Sequence, residues 1–383
     1  MGWAEFVGNP RLVEVLRRLL AAERLPHALL FAGQQGVGKF TLATYFARAA
    51  LCPVARNDFC GQCVSCRTLL ALENLPALMA AARQARGSAN PEEVPLVLQP
   101  HADACVIVPD PTYIRVSQMR YVRRLAYTEP AAGRRRVVIF DDAERLRPDY
   151  ASTLLKVLEE PPEHTHFILV AHAPYELPDT IRSRCVPLHF APLPSACLEA
   201  YLAQHRPKLP PKDRQLLAAV AAGSLGTALS LDLERYRQGR LHALSLLQAA
   251  VSGSAFDPAA LFSATGALAG RGQQLTKGSE PGEARLEFEF SLQILYNLIS
   301  DVTYLKARAS EVGLRNPDLH NRLERLSREV SWQWLTVAVG ELDSIQRGLR
   351  RNINRQLALD ALALASALQR TTEETSEPVA ASE

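Results

Sequence analysis

The segment Gly33-Gln-Gln-Gly36-Val-Gly38-Lys39 lies between an apolar run, 28–32, and a helical pattern, 40–51. Strand, glycine-rich loop, lysine and helix in that order are the context of a phosphate-binding loop. Glycine lets backbone N–H groups close around phosphate oxygens, and the helix N-terminus adds positive potential. Gly33, Gly36, Gly38 and Lys39 are therefore the candidate nucleotide-binding residues, with Lys39 neutralising the terminal phosphates. A tight strand-to-helix turn with no ligand remains the alternative. Such a loop needs its strand buried on both faces, and the chain supplies companions. Short apolar runs at 106–108, 137–140, 167–170 and 185–188 alternate with helical patterns at 11–22, 117–127 and 150–158. This is the pattern of a parallel sheet covered by helices, an α/β core of the phosphate-loop NTPase type.

Two positions bear on hydrolysis. The residue after the lysine should carry a hydroxyl that ligates magnesium, but here it is Phe40. Thr41 lies about 100° further round the helix and does not take that place. The run Val137-Val-Ile-Phe140-Asp141-Asp142-Ala143-Glu144 then sets carboxylates at the end of an apolar strand. Asp141 fits the acid that helps hold magnesium in phosphate-loop enzymes. Capping of the following helix explains these acids equally well.

Cys52, Cys60, Cys63 and Cys66 read C-x7-C-x2-C-x2-C, with turn-forming residues between them. Thiolates at this spacing converge on a tetrahedral zinc ion, and four cysteines leave no open position for water. The expectation is a structural zinc module at 52–66. Cys105, Cys185 and Cys197 are scattered and read as small buried hydrophobes, not reactive thiols.

After Pro192 the strand signals stop. Helical patterns at 198–204, 212–222 and 227–233 suggest a small helical domain, 192–255. Those at 288–306, 317–329, 332–350 and 354–368 suggest an all-α domain, 256–370. The core would span 1–191. Residues 270–283 read as a loop, and the acidic end, 371–383, as a disordered tail. The stretch 72–104 is rich in proline and reads as a surface insertion with a short helix at 77–86. Composition narrows the function classes. With 43 Lys+Arg against 40 Asp+Glu, the net charge is +3, too small for a dedicated DNA-coating surface. No apolar run reaches the roughly 20 residues of a membrane span, and the first ten residues lack a secretory pattern. A cytoplasmic chain is expected. The run Arg134-Arg135-Arg136, with Arg120, Arg123 and Arg124, could face nucleic-acid phosphates or simply be solvated.

Several motifs in order carry a resemblance. His27-Ala-Leu-Leu-Phe31 leads into the phosphate loop, and the cysteine module follows its helix. Then come Thr153-Leu-Leu-Lys156-Val-Leu-Glu159-Glu160-Pro161-Pro162, Leu177-Pro-Asp-Thr-Ile181-Arg182-Ser183-Arg184-Cys185, and Arg350-Arg-Asn352-Ile-Asn354-Arg-Gln-Leu357. From Phe6 to about Leu368 the chain resembles the delta-prime subunits of the bacterial replicative clamp loader, AAA+ proteins of the DNA polymerase III holoenzyme. The resemblance implies an AAA+ core, a helical lid at 192–255 and an all-α collar at 256–370. It implies that Arg184 is an arginine finger acting in a neighbouring subunit's ATP site. It also implies a five-subunit ring with gamma/tau motor subunits and a delta subunit, working with the sliding clamp and primed DNA. Polymerase chemistry is not implied for this chain itself.

The departures point one way. Phe40 replaces the magnesium hydroxyl, and Asp142 stands where motor subunits have a catalytic Glu. Val170-Ala171-His172-Ala173 puts small Ala where motors sense the γ-phosphate, and Gly226 replaces a sensing Arg. Together they describe a site that can hold ATP or ADP yet hydrolyses poorly: a stator with a finger. A self-sufficient AAA+ ATPase, supported by Lys39 and Asp141, is the alternative. A nucleoside or nucleotide kinase fits the loop but not the zinc module or the helical C-terminus.

Overall fold

The computed structural model describes residues 2–55, 57–132, 134–251, 258–269, 281–309, 313–349 and 353–376. It divides into two units, Met1–Pro194 with Gly223–Thr227, and Ser195–Ala222 with Ala228–Glu383.

The first unit is built on one sheet of β1 (Ala28–Ala32), β2 (Val97–His101), β3 (Ala104–Ile107), β4 (Arg136–Phe140), β5 (Thr165–Ala171) and β6 (Val186–His189). Their order is β2-β3-β4-β5-β1-β6. Every neighbouring pair is parallel except β2 with β3. Each residue of β1, β4 and β5 is buried, so these strands read as continuous apolar runs. Side chains alternate between two layers. Leu29, Phe31, Ile139 and Ile168 pack with Leu16 of α1 (Pro10–Ala21) and Leu42 and Phe46 of α2 (Lys39–Leu51). The cysteine module, with α3 (Val64–Leu69), and the helix α4 (Leu75–Arg86) join that same layer. Leu30, Val138, Phe140 and Phe167 face the other way, onto Met119 and Val122 of α5 (Val116–Ala126) and Leu154 and Leu158 of α6 (Pro148–Glu159). Burial of each such side chain stabilises by about 1.5–3 kcal/mol. The short helix α7 (Asp179–Arg182) precedes β6.

The stretch 72–104 is more than a loop insertion. Its helix begins at Leu75, capped by Asn74 Oδ1, which accepts from Ala77 N at 3.2 Å. Val97–His101 then adds an antiparallel edge strand, with Leu98 opposite Val106. Gln118 Nε2 donates to Leu96 O at 2.6 Å and Val108 O at 2.9 Å, and Arg86 pairs with the buried Asp110. The segment covers the β3 edge, which would otherwise present unpaired backbone groups.

The second unit is helical. It comprises α8 (Ser195–His205), α9 (Pro211–Val220), the remainder of α10 (Leu225–Ser230), α11 (Leu233–Val251), α12 (Pro258–Leu268), α13 (Pro281–Lys306), α14 (His320–Glu329), α15 (Trp332–Gly348) and α16 (Arg355–Ser376). Its core joins Tyr236, Leu244, Leu295, Leu298, Leu323, Leu342 and Leu359. Inside it, Asp301 accepts from the backbone N of Arg315 at 2.8 Å and of Asn316 at 2.9 Å, so the buried carboxylate is satisfied. Of the expected loop at 270–283, residues 270–280 lie outside the described residues, and 281–283 already belong to α13. Of the expected tail, 371–376 continue α16, and 377–383 lie outside the described residues. Among the described residues, no helix is long and apolar enough to cross a membrane.

Candidate functional site

The parallel order β4-β5-β1 brings three strand ends to one place. Ligands of open α/β sheets bind outside these carboxyl ends. From β1 comes the phosphate loop, from β4 the acids 141–144, and from β5 His172.

The loop has the backbone that its glycines allow. Gly36 has φ +77° and Gly38 φ +93°, in the region that a Cβ makes costly. Lys39 is 6% exposed, and it turns back on its own loop. Its Nζ donates to Gly33 O at 2.6 Å and to Gln34 O at 2.7 Å. Burial lowers its pKa, against the pull of Glu144, Asp141 and Asp142. The segment Gly223–Thr227 rests on the loop. Gly226 N donates to Gly36 O at 2.8 Å. A Cβ on Gly36 would come within 2.2 Å of Ser224 Oγ, and one on Gly226 within 2.9 Å of Gly36 Cα. Gly226 is therefore a close-packing position, where any side chain would collide with the loop. Phe40 packs on the core layer, and Thr41 is exposed.

The acids are engaged by a residue that sequence reasoning passed over. His172 Nδ1 contacts Glu144 Oε1 and lies 3.7 Å from Asp142 Oδ1. Its backbone N also donates to Glu144 Oε1 at 3.2 Å. Ala171 and Ala173 are buried, and His172 between them faces the acids. Its position directly after the end of an apolar strand, as Asp141 directly follows β4, was the available signal. Bonds to Asp142 and then Glu144 push the imidazole up to about 9, so it is a cation at neutral pH. Asp142 is held below its ordinary value by the same bond. Glu144 is also lowered, although burial pushes it upward. Asp141 goes the other way, to about 7, through burial and then its neighbour Asp142. A raised imidazole pKa stabilises the fold fully below its unfolded value of 6.5, and that contribution is lost as pH rises through about 9. Wild-type thermal stability should therefore fall over that window, and His172→Ala should flatten the fall. Equal slopes in melts of the two proteins would refute the ion cluster.

Cys52, Cys60, Cys63 and Cys66 converge, with all four Sγ atoms within 4.8 Å of one another. Cys52 to Cys63 and Cys60 to Cys66 are each 4.0 Å. A tetrahedron of ~2.3 Å zinc–sulfur bonds has edges of about 3.8 Å, so the four thiols fit such an ion. Backbone N–H groups of Ala55, Cys63 and Cys66 point at the sulfurs of Cys52, Cys60 and Cys63 at 3.3–3.4 Å. The donors from Cys63 and Gln62 pull the Cys60 thiol down to about 6. Trp3 ties the N-terminus to this module, through Nε1 donating to Asn57 O at 2.9 Å.

Arg184 follows α7 on the surface, its side chain 35% exposed. It donates to Thr180 O at 2.8 Å and pairs with Glu159 at 2.8 Å. Arg182 is engaged separately, with Asp179. Of the arginine run, Arg136 is buried and donates to the carbonyls of Leu125, Thr128 and Glu129. It tethers the turn before β4 and is no phosphate contact. Arg134 is exposed, as are Arg120, Arg123 and Arg124.

The motif order, the loop and the cysteine module find their match among known proteins. The family model described as DNA polymerase III, delta subunit, matches residues 8–194. The one described as DNA polymerase III, delta subunit, C terminal, matches residues 286–366. The chain belongs to the DNA polymerase III clamp-loader subunit family. The delta' subunit of Pseudomonas aeruginosa is 33% identical over 219 residues, 56% of this clamp-loader chain and 58% of that protein. The tau subunit of Escherichia coli is 27% identical over 334 residues, 86% of this chain and 48% of that protein. The chain thus spans about half the length of the curated relatives it matches. A solved gamma-subunit-related protein of Thermotoga maritima aligns over 94% of this chain and 99% of its own at 17% identity, with a TM-score of 0.37.

Proposed function

We propose that this clamp-loader subunit is a delta-prime-type stator: it supplies Arg184 to a neighbouring motor subunit and does not turn over ATP itself. The observation that carries the reading is Phe40, which packs on the core layer at the position where a magnesium-binding hydroxyl would follow Lys39. The rest of the site agrees. His172 supplies the positive charge that a metal would bring to Asp142 and Glu144, and Gly226 sits on Gly36. Arg184, by contrast, stands at the surface with its guanidinium partly open to a partner.

On this reading the first unit is an AAA+ core, supported by β1 lying between β5 and β6 with the phosphate loop at its end. Residues 192–255 serve as lid and 256–370 as collar within a five-subunit ring. Cys52, Cys60, Cys63 and Cys66 hold a structural zinc ion, which would lock the loop between α2 and α3. Gly33, Gly36, Gly38, Lys39 and Asp141 retain the outline of a nucleotide site without its hydrolytic parts. The partners are gamma/tau-type motor subunits, a delta subunit and, through them, the sliding clamp on primed DNA in the cytoplasm.

Asp141, beside the loop at the end of β4, favours a second reading as a self-sufficient ATPase. The two readings part on one measurement. The purified chain should show no magnesium-dependent ATP turnover, and Lys39→Ala in a reconstituted loader should change turnover by less than about twofold. Turnover by the chain alone that Lys39→Ala abolishes would establish the ATPase instead.

A further inference from the structure

We propose that Glu159 is the positioning residue for Arg184, an inference that rests on the finger reading above. Glu159 is the last residue of α6, and its Oε1 lies 2.8 Å from Arg184 Nη2. Thr180 O accepts from Nη1 of the same guanidinium at 2.8 Å. The backbone on either side is fixed, because Ile181 and Cys185 are both buried. The guanidinium is thus braced at both terminal nitrogens by two different elements, while its side chain keeps 35% of its surface open.

A flexible arginine that must enter a neighbour's site loses rotamer freedom when it does so. Bracing it beforehand removes that cost, which is the advantage of preorganisation. The brace must also let go or share. A half-exposed ion pair is weak, so a triphosphate with its higher charge can draw the guanidinium's remaining N–H donors without breaking the helix end. Glu159 itself does not touch reacting atoms. The nearby Arg182 cannot substitute for Arg184 at the brace, since it is paired with Asp179.

The test uses the reconstituted loader with clamp and primed DNA, assembly checked by size, and kcat and KM for ATP both taken from the clamp-loading rate as a function of ATP concentration, because sites served by other subunits leave a baseline in total ATP turnover. Glu159→Ala should lower kcat about tenfold with KM unchanged, a fraction of the 10²-fold that ~1 Å of misplacement can cost. Glu159→Gln keeps an acceptor oxygen at the same reach and should restore most of kcat. Glu159→Asp keeps the charge but loses a methylene and should fall between them. The double variant with Arg184→Ala should be no worse than Arg184→Ala alone. Unchanged kcat in Glu159→Ala, beside a collapse in Arg184→Ala, would overturn the positioning role and leave the finger intact. A raised kcat would overturn it too, by making Glu159 a restraint. If Arg184→Ala itself has no effect, the finger reading fails and this inference fails with it.

Discussion

Arg184→Ala, in a loader reconstituted with its motor and delta-type subunits, should abolish productive clamp loading while leaving the ring assembled. The reason is the charge that develops on the transferred phosphoryl group. A guanidinium beside it is worth about 10³–10⁵ in rate where the effect has been dissected. Only the site that receives this finger loses it directly. Total ATP turnover therefore keeps a baseline from sites served by other subunits, and clamp loading, which needs the ring to act together, is the sharper readout. A fall on the order of 10² in loading rate on primed DNA is expected. Arg184→Lys should fail nearly as badly, because the planar fork is replaced by a point charge. Folding is not at issue. Arg184 bonds at the surface, to Thr180 and Glu159, and an exposed pair of this kind is worth roughly 0–1 kcal/mol. A variant that assembles and loads clamps at the wild-type rate would reduce this chain to a structural member of the ring.

What could be read from the sequence, and what could not, follows from where charge is buried. The glycine-rich turn from β1 into α2 was plain because β1 is apolar throughout and the glycines are closely spaced punctuation. The cysteine quartet was plain because its spacing is one that lets four thiols converge on a single point. The edge strand Val97–His101 was hidden by Pro100 and Gln99, residues an edge tolerates and a central strand does not. The long helix Leu233–Val251 went unread because its inward face carries Arg240, which pairs with Asp318 at 2.7 Å and so interrupts the apolar period. Arg136 shows the same effect in reverse: in a run of three arginines nothing marks the one that the fold takes inside. The surroundings of the loop were only half visible. Phe40, Asp142 and Gly226 are absences that sequence can register. The bonds from His172 to Asp142 and Glu144 join residues that are brought together only by the parallel pairing of β4 with β5.

Loss of the zinc proposed for the cysteine module should be the largest single effect on stability. Cys66 is the most deeply buried of the four thiols, and burial pushes it up to about 12 when no cation is present to hold the thiolate. Four thiols within 4.8 Å of one another, with Cys66 buried, form the donor set that a cation would occupy. If zinc is bound, its free energy is folding free energy, about 10–16 kcal/mol in isolated zinc-finger peptides. Here much of the scaffold survives without it, since Phe59, Leu69 and Leu72 remain in the core layer. A smaller loss, on the order of 3 kcal/mol, should follow from Cys66→Ser. At ~2–4 °C per kcal/mol this would lower the thermal midpoint by roughly 6–12 °C. Metal analysis should find one zinc per wild-type chain and none in the variant, and a chelator should reproduce the shift. Trp3 gives an independent local signal, because its indole is bonded to Asn57 within the module and stands edge-on to Phe59, with ring centroids 6.4 Å apart. Chelation should change its fluorescence before the second unit melts, in a protein where Trp332 and Trp334 are replaced by Phe. Zinc-free wild-type protein with an unchanged midpoint would leave the quartet as packed thiols, and the module would then owe its shape to Trp3, Phe59 and Arg48, whose guanidinium stacks 4.3 Å from the Phe59 ring.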